Sequence, residues 1–366
     1  MYTIDVLQAA HGDCLFVEYG SSRQTRRLLI DGGPLETLPA LECRLREAIT
    51  FGKWIDLVVL THVDADHVEG LIRILGESPA QITPREIWFN GWTELDEHSQ
   101  LSAMQGEFFG ALISRRYADR HNISWGGKSV VVPDWGPLPS IVIDGGLTVT
   151  LLSPSAEKLS AMRKSWRSDL LKRGLSPGAL DAAWNRLLTS RSLRPRGDHS
   201  MLAGTDPGAE LVDDRFRGDD APANGSSIAF LAEHEEGGSC LFLADAHPDA
   251  LVKSLARLLA ERKVDRLAVD AVKLAHHGSR FNFNRELLGM IESSRFIVST
   301  DGSRFEHPDP EVIDNIIDHS TVRPPEILFN YHSVTTARWG DPDNQRKRDY
   351  RATYADAGSW LRVVLA

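Results

Sequence analysis

Four side chains able to bind a metal fall within six positions: His62, Asp64, Asp66 and His67, in Thr-His-Val-Asp-Ala-Asp-His. Imidazole and carboxylate are the usual ligands of zinc, manganese and iron. The run before them (Ile55, Leu57, Val58, Val59, Leu60) is apolar and rich in β-branched residues, which predicts a buried strand. After them Val68, Leu71, Ile72 and Leu75 recur at helical spacing. The four side chains therefore stand on a strand-to-helix turn. His62 and Asp64 are two apart and can share one side of extended chain. Asp66 and His67 follow at the helix start, where they can turn to a second point. An isolated His-x-Asp would be read as a polar turn with helix-capping aspartates. Four such residues directly after a buried strand point to metal.

The second half offers further candidates at strand ends. The strand predicted at 240–243 ends in Ala244-Asp245-Ala246-His247, and the one at 271–274 runs into Ala275-His276-His277-Gly278-Ser279. A strand at 296–299 leads to Ser303-Arg304-Phe305-Glu306-His307-Pro308. In the first half, a strand over 28–30 ends at Asp31-Gly32-Gly33, glycines suited to a sharp turn. Taken singly, these are strand-end aspartates, an Asp-Gly turn and a loop histidine.

Together they resemble a known pattern. The 62–67 stretch resembles the His-x-[His/Asp]-x-Asp-His signature of the metallo-β-lactamase superfamily. Asp5-Val6-Leu7-Gln8, His11-Gly12-Asp13-Cys14, Leu29-Ile30-Asp31-Gly32-Gly33 and Leu-x-x-His-His-Gly-Ser are similar to the hydrolase domain of ComEC-type DNA-uptake proteins. Phosphorylcholine esterases of the same superfamily look similar. The matches span most of residues 1–75 and 224–320.

The resemblance implies an α/β fold, a four-layer αββα sandwich, and two divalent ions, Zn²⁺ or Mn²⁺. It gives His62 and Asp64 to one ion, Asp66, His67 and His277 to the other, and Asp245 to both. Asp13, Asp31 and Ser279 would support the ligands. His277 is preferred over His276 as the ligand, with His276 facing the substrate oxyanion or leaving group; the reverse assignment stays open. Arg304 and His307 would contact substrate phosphate. Asn224 and Ser227, in Asn-Gly-Ser-Ser, would hydrogen-bond the substrate, or Asn224 simply caps a strand. There are departures. Ala244 stands where the family usually has glycine. Asp64 and Asn224 stand where many members have histidine, as ComEC-like domains also do. More oxygen and fewer imidazoles favour manganese or loosely held zinc.

Several elements must position these residues. Strands are expected at 2–8, 14–19, 86–90, 129–132, 227–232 and 360–365, a hairpin at 141–152 with a Gly-Gly turn, and helices at 35–51 and 310–317. Residues 155–196 read as two helices broken at 174–178, with Trp166 and Trp184 among ten Lys or Arg against three acids, a local charge of +7. An acidic, Gly- and Pro-containing loop follows at 198–224. The chain is read as one domain, 1–366, with an insertion at 155–222.

The 366 residues carry a net charge of −10, which excludes a general nucleic-acid coat but not a local phosphate-binding patch. The three cysteines, Cys14, Cys43 and Cys240, predict buried thiols in a reducing compartment. No basic-then-apolar leader and no apolar run near 18 residues is present, which predicts a cytoplasmic protein with no membrane segment.

The expected function is a metal-dependent phosphodiesterase or nuclease in which ions ~3.5–4 Å apart share a bridging hydroxide, with Asp66, His276 and His307 in catalysis. The alternatives are an ester, lactone or amide hydrolase at the same metals, and a non-catalytic binding module that keeps the fold. The basic 155–196 segment is the expected docking surface for a nucleic-acid backbone or an acidic protein, or else a lid on the chain's own acidic surface.

Overall fold

The computed structural model describes residues 1–21, 24–48, 54–77, 81–95, 103–172, 174–194 and 221–365. It is a mixed α/β fold with two large sheets. The six-stranded sheet runs in the order Leu361–Val364, Tyr2–Val6, Leu15–Ser21, Gln24–Ile30, Trp54–Val59, Thr83–Trp88. The eight-stranded sheet runs Arg351–Tyr354, Glu326–Phe329, Arg295–Val298, Ala271–Lys273, Ser239–Phe242, Ala229–His234, Leu147–Ser153, Ser140–Ile143.

Alternation along the strands decides what each face buries. Leu28, Ile30, Leu57 and Val59 of the first sheet share one apolar cluster with Phe230, Leu241, Val272, Ile297 and Leu328 of the second. Leu29 and Val58 belong to a second cluster with Val68, Leu71 and Leu75 of the helix Ala65–Gly76. The helices Ala156–Lys172 and Leu180–Thr189 bury Leu159, Trp166, Leu170, Trp184 and Leu187 in that same cluster.

Within each sheet the parallel strands point their carboxyl ends the same way. In open α/β sheets that end is where ligands bind. Trp54–Val59 leads to His62, Ser239–Phe242 to Asp245, and Ala271–Lys273 to His276 and His277. Two close backbone approaches set the first of these ends. Gly32 N donates to His67 O at 2.8 Å and Gly70 N to Gly33 O at 2.9 Å. A Cβ on Gly70 would stand 2.0 Å from Gly32 O, so only glycine lets the helix come this near the Asp31 turn.

The structure departs from the sequence reading in several places. Residues 129–132 form no ladder; Val132 makes a single bridge to Ser155. The Asn90 side chain takes the place of a partner strand, bonding Val130 N and O at 2.8 and 2.9 Å. Cys43 is exposed, on the outer side of the helix Leu38–Ala48, whereas Cys14 and Cys240 are buried. Trp166 and Trp184 are 1% and 8% exposed, so they pack the core and offer nothing to a docked partner. Asn224 lies in a helical turn, Pro222–Gly225, and caps no strand. The helices Ala103–Arg116 and Pro248–Arg262 were not anticipated. Residues 49–51, Arg173, Arg196 and 198–220 lie outside the described residues. Among the described residues no helix is long and apolar enough to cross a membrane.

Candidate metal centre

Asp245 is the focus. Its Oδ2 lies 3.9 Å from His62 Nε2, 3.6 Å from His67 Nε2, 3.6 Å from His276 Nε2 and 3.8 Å from His277 Nε2. These distances are too long for hydrogen bonds. They match the roughly 3–4 Å between donor atoms that share an ion about 2.0–2.2 Å from each. Asp64 Oδ2 stands 3.7 Å from His62 Nε2, and Asp66 Oδ2 stands 4.0 Å from His67 Nε2. Among the described residues, two groups of three have ligand atoms within 4.8 Å of one another: His62, His67, Asp245 and Asp66, His67, His277.

The hydrogen bonds behind these residues decide which nitrogen faces inward. Asp31 Oδ1 accepts from Thr61 N at 2.8 Å, and Oδ2 accepts from Thr61 Oγ1 at 2.7 Å and His67 Nδ1 at 2.8 Å. The Thr61 hydroxyl proton is therefore engaged by Asp31, so His62 Nδ1, 3.0 Å from Thr61 Oγ1, must be the donor. His277 Nδ1 donates to Ser299 O at 2.7 Å. In each case the network leaves Nε2 as the free ligand atom. Among the described residues, the Nε2 atoms of His62, His67 and His277 and Oδ1 of Asp245 are buried without a hydrogen-bond partner. Buried polar atoms left unpaired in one cluster are what a bound cation would satisfy. The donor set of imidazoles and carboxylates fits a divalent zinc or manganese ion.

Electrostatics agree. Burial alone would raise the Asp245 carboxyl, but His276, His277 and His67 outweigh it and hold Asp245 well below its ordinary value. Burial raises Asp66 too, and His67, His277 and His11 overcome it. Burial pushes His277 down to about 4, so this imidazole is neutral at pH 7 and ready to ligate. His67 goes the other way. Against its burial, Asp245 and Asp31 raise it well above the ordinary range, and that proton is what a cation at Nε2 would displace.

The remaining expected residues reach the site unequally. Asp13 stands behind His277, its Oδ1 3.6 Å from Nδ1, and Oδ2 accepts from the buried Lys273 Nζ at 2.7 Å. Gly12, beside it, would place a Cβ 1.9 Å from Asp66 O, which brings that turn against the ligand loop. Ser279 acts through the backbone: its N donates to His276 O at 2.9 Å and its carbonyl accepts from Asn282 N and Phe283 N, which shapes the turn after His277. Asn224 Nδ2 is 3.4 Å from His276 Nδ1, and Ser227 is buried next to that turn. The His307 ring is 5.5 Å from that of His276. Arg304 stays at the rim, exposed, 5.1 Å over Phe305 and 3.4 Å from His11 Nε2. Thr61, Lys273, Asn282 and His11 were not anticipated. A lysine inside the apolar run 271–274 was the one available signal.

Comparisons with known proteins add little. No family model and no curated protein matches the chain. One solved structure, described as a protein of unknown function from Enterococcus faecalis V583, aligns over 98% of this chain and 88% of its own at 10% identity. Its TM-score is 0.23, too low to support a statement about fold or activity.

Proposed function

We propose that the chain is a metal-dependent phosphodiesterase of the metallo-β-lactamase type, closest in its site to ComEC-type hydrolase domains. The observation that supports this most is the convergence of four histidine Nε2 atoms on the buried Asp245 carboxylate. On this reading the two sheets and their helices are the four-layer αββα sandwich of that superfamily. His62 and Asp64 would hold one ion and Asp66, His67 and His277 the other, with Asp245 available to both. Two divalent ions bound there would supply an activated water at neutral pH and neutralise a departing oxyanion. Asp31 and Thr61 fix the ligand loop so that it need not reorganise during reaction.

Substrate charge is the basis for preferring a phosphodiester over a neutral ester, lactone or amide. Arg304 and His11 place cationic and donor groups at the rim, and His307 stands between that rim and His276. A phosphate diester keeps one negative charge for such groups to hold.

Metal content and turnover together test the reading. The purified chain, reconstituted with manganese or zinc, should bind two ions and cleave a small phosphate diester but not a lactone or lactam. Asp66→Ala should lose most of one ion. No metal uptake, or lactone turnover without diester turnover, would defeat it.

A further inference from the structure

Asn282 is fully buried in the loop that follows His277. Its Nδ2 faces the backbone carbonyls of Asp245 at 3.1 Å and Ala246 at 3.5 Å. Carbonyls only accept, so this corner of the amide is the NH₂ group. The other corner, Oδ1, can only accept, and it lies 3.0 Å from His276 Nδ1. The proton of that hydrogen bond can come only from the imidazole. His276 is thus held with a proton on Nδ1 and a bare Nε2 aimed at Asp245 Oδ2, 3.6 Å away. The Asn224 amide is farther, 3.4 Å from the same Nδ1. Turning its oxygen to that nitrogen would leave the same proton in place.

The backbone serves the same end. His276 has φ +44° and His277 φ +57°, a left-handed conformation rare for side chains of this size. His276 N also donates to Ala244 O at 2.8 Å. The histidine loop and the Asp245 loop are therefore joined by three hydrogen bonds, two of them from one side chain.

We infer that Asn282 is a positioning residue that fixes the His276 tautomer, so that Nε2 gives an electron pair to a cation in the site instead of a proton to a departing group. The inference rests on the metal reading above for what accepts that pair. It makes His276 a fourth imidazole donor around Asp245, beside His277 and not in competition with it.

The test uses the full chain, metal-free and labelled with ¹⁵N-histidine, in a long-range ¹H–¹⁵N correlation at neutral to mildly alkaline pH. The chain has 13 histidines, and the His276 pattern is assigned by its loss in His276→Gln. Wild type should show His276 protonated at Nδ1 and bare at Nε2. Asn282→Ala should lose this preference. Asn282→Asp keeps an acceptor toward His276 Nδ1 but sets its second oxygen against the Asp245 and Ala246 carbonyls, so it should preserve the tautomer while loosening the tie between the two loops, a separation that a purely structural role does not foresee. Zinc competition against a chromophoric chelator should read a loss of ~10–100-fold in affinity for Asn282→Ala, with only part of it restored in Asn282→Asp, which keeps the acceptor but not the two donated bonds. A proton on Nε2 in the wild type, or an unchanged tautomer in a folded Asn282→Ala, would overturn the inference. If Asn282→Ala does not fold, wild type and Asn282→Asp decide it, since Nε2–H in either is contrary. Normal zinc uptake with Nε2–H sinks the positioning role alone, whereas no uptake by wild type sinks the metal reading and the role of Nε2 with it.

Discussion

Asp31 accepts three hydrogen bonds, two from Thr61 and one from His67, and so orients two of the four inward imidazoles. Asn at this position could not replace it, because its NH₂ corner would face a donor. Asp31→Asn should therefore lower zinc affinity by ~10–100-fold while the far-ultraviolet spectrum is kept. Unchanged affinity in a folded variant would show that Thr61 and His67 are oriented by something else. This residue was legible in the sequence because it closes a strand in a familiar turn. Its partner Thr61 was not, since the bond joins positions 30 apart. Lys273 and Asp13 meet across 260 residues. Local spacing brings His62, Asp64, Asp66 and His67 together on one turn, but nothing local pairs a lysine with an aspartate on another sheet.

Elements set the site by how closely they approach. The helix Ala65–Gly76 rests on the Asp31 turn through Gly32 and Gly70, where an added Cβ meets backbone and not a movable side chain. Gly70→Ala should cost ~1–3 kcal/mol of stability, and its displaced His67 should weaken metal binding as well. Urea denaturation with parallel metal analysis reads both, and a variant as stable and as metal-loaded as wild type would contradict this packing. The insertion helices make a second such contact. Trp166 Nε1 and Gly178 N both donate to Glu107 Oε1 at 2.9 Å, while burial raises the Glu107 carboxyl above its ordinary value against those two bonds. A raised folded pKa means that stability is complete below the unfolded pKa and falls as pH rises through the folded one. Glu107→Gln keeps both acceptances without the charge. Its stability relative to wild type should be near zero at pH 4 and grow in its favour toward pH 8. A constant difference across that range would place the charge in a solvated setting. The helical pattern of 155–196 was readable from Leu159, Met162, Trp166 and Leu170, but which side faced the protein was not. Apolar spacing reveals a stripe, and only the partner surface, here the unanticipated helix Ala103–Arg116, says that the tryptophans lie under it.

At the scale of the whole molecule the question is where an acidic chain keeps its positive charge. The helix Ala156–Lys172 turns its tryptophan inward and leaves Lys164, Arg167 and Lys172 exposed, and Arg186, Arg191 and Arg194 are exposed beyond it. Arg163 differs, stacked 4.4 Å over the Trp92 ring and half-buried, so it belongs to the packing. The foot of this helix lies by the site: Lys158 bonds His247 Nδ1 at 3.1 Å and Asp249 at 2.8 Å, next to the turn that carries Asn224. On the function proposed above, a polyanion held along the outward face would have one end near the side chains around Asp245. Binding through about three phosphates should weaken by ~10–10²-fold between 50 and 200 mM salt, because counterions are released on binding. Reversing Lys164, Arg167 and Lys172 together to Glu should flatten that slope and abolish polynucleotide binding. The same variant should still fold, since none of the three side chains enters the core, and should still turn over a small diester. Anisotropy of a labelled oligonucleotide across the salt series, with small-diester turnover on the same samples, reads both arms. Salt-independent binding, or binding that survives the reversal, would remove the docking surface. Loss of small-diester turnover with the fold intact would mean instead that these charges serve the site itself.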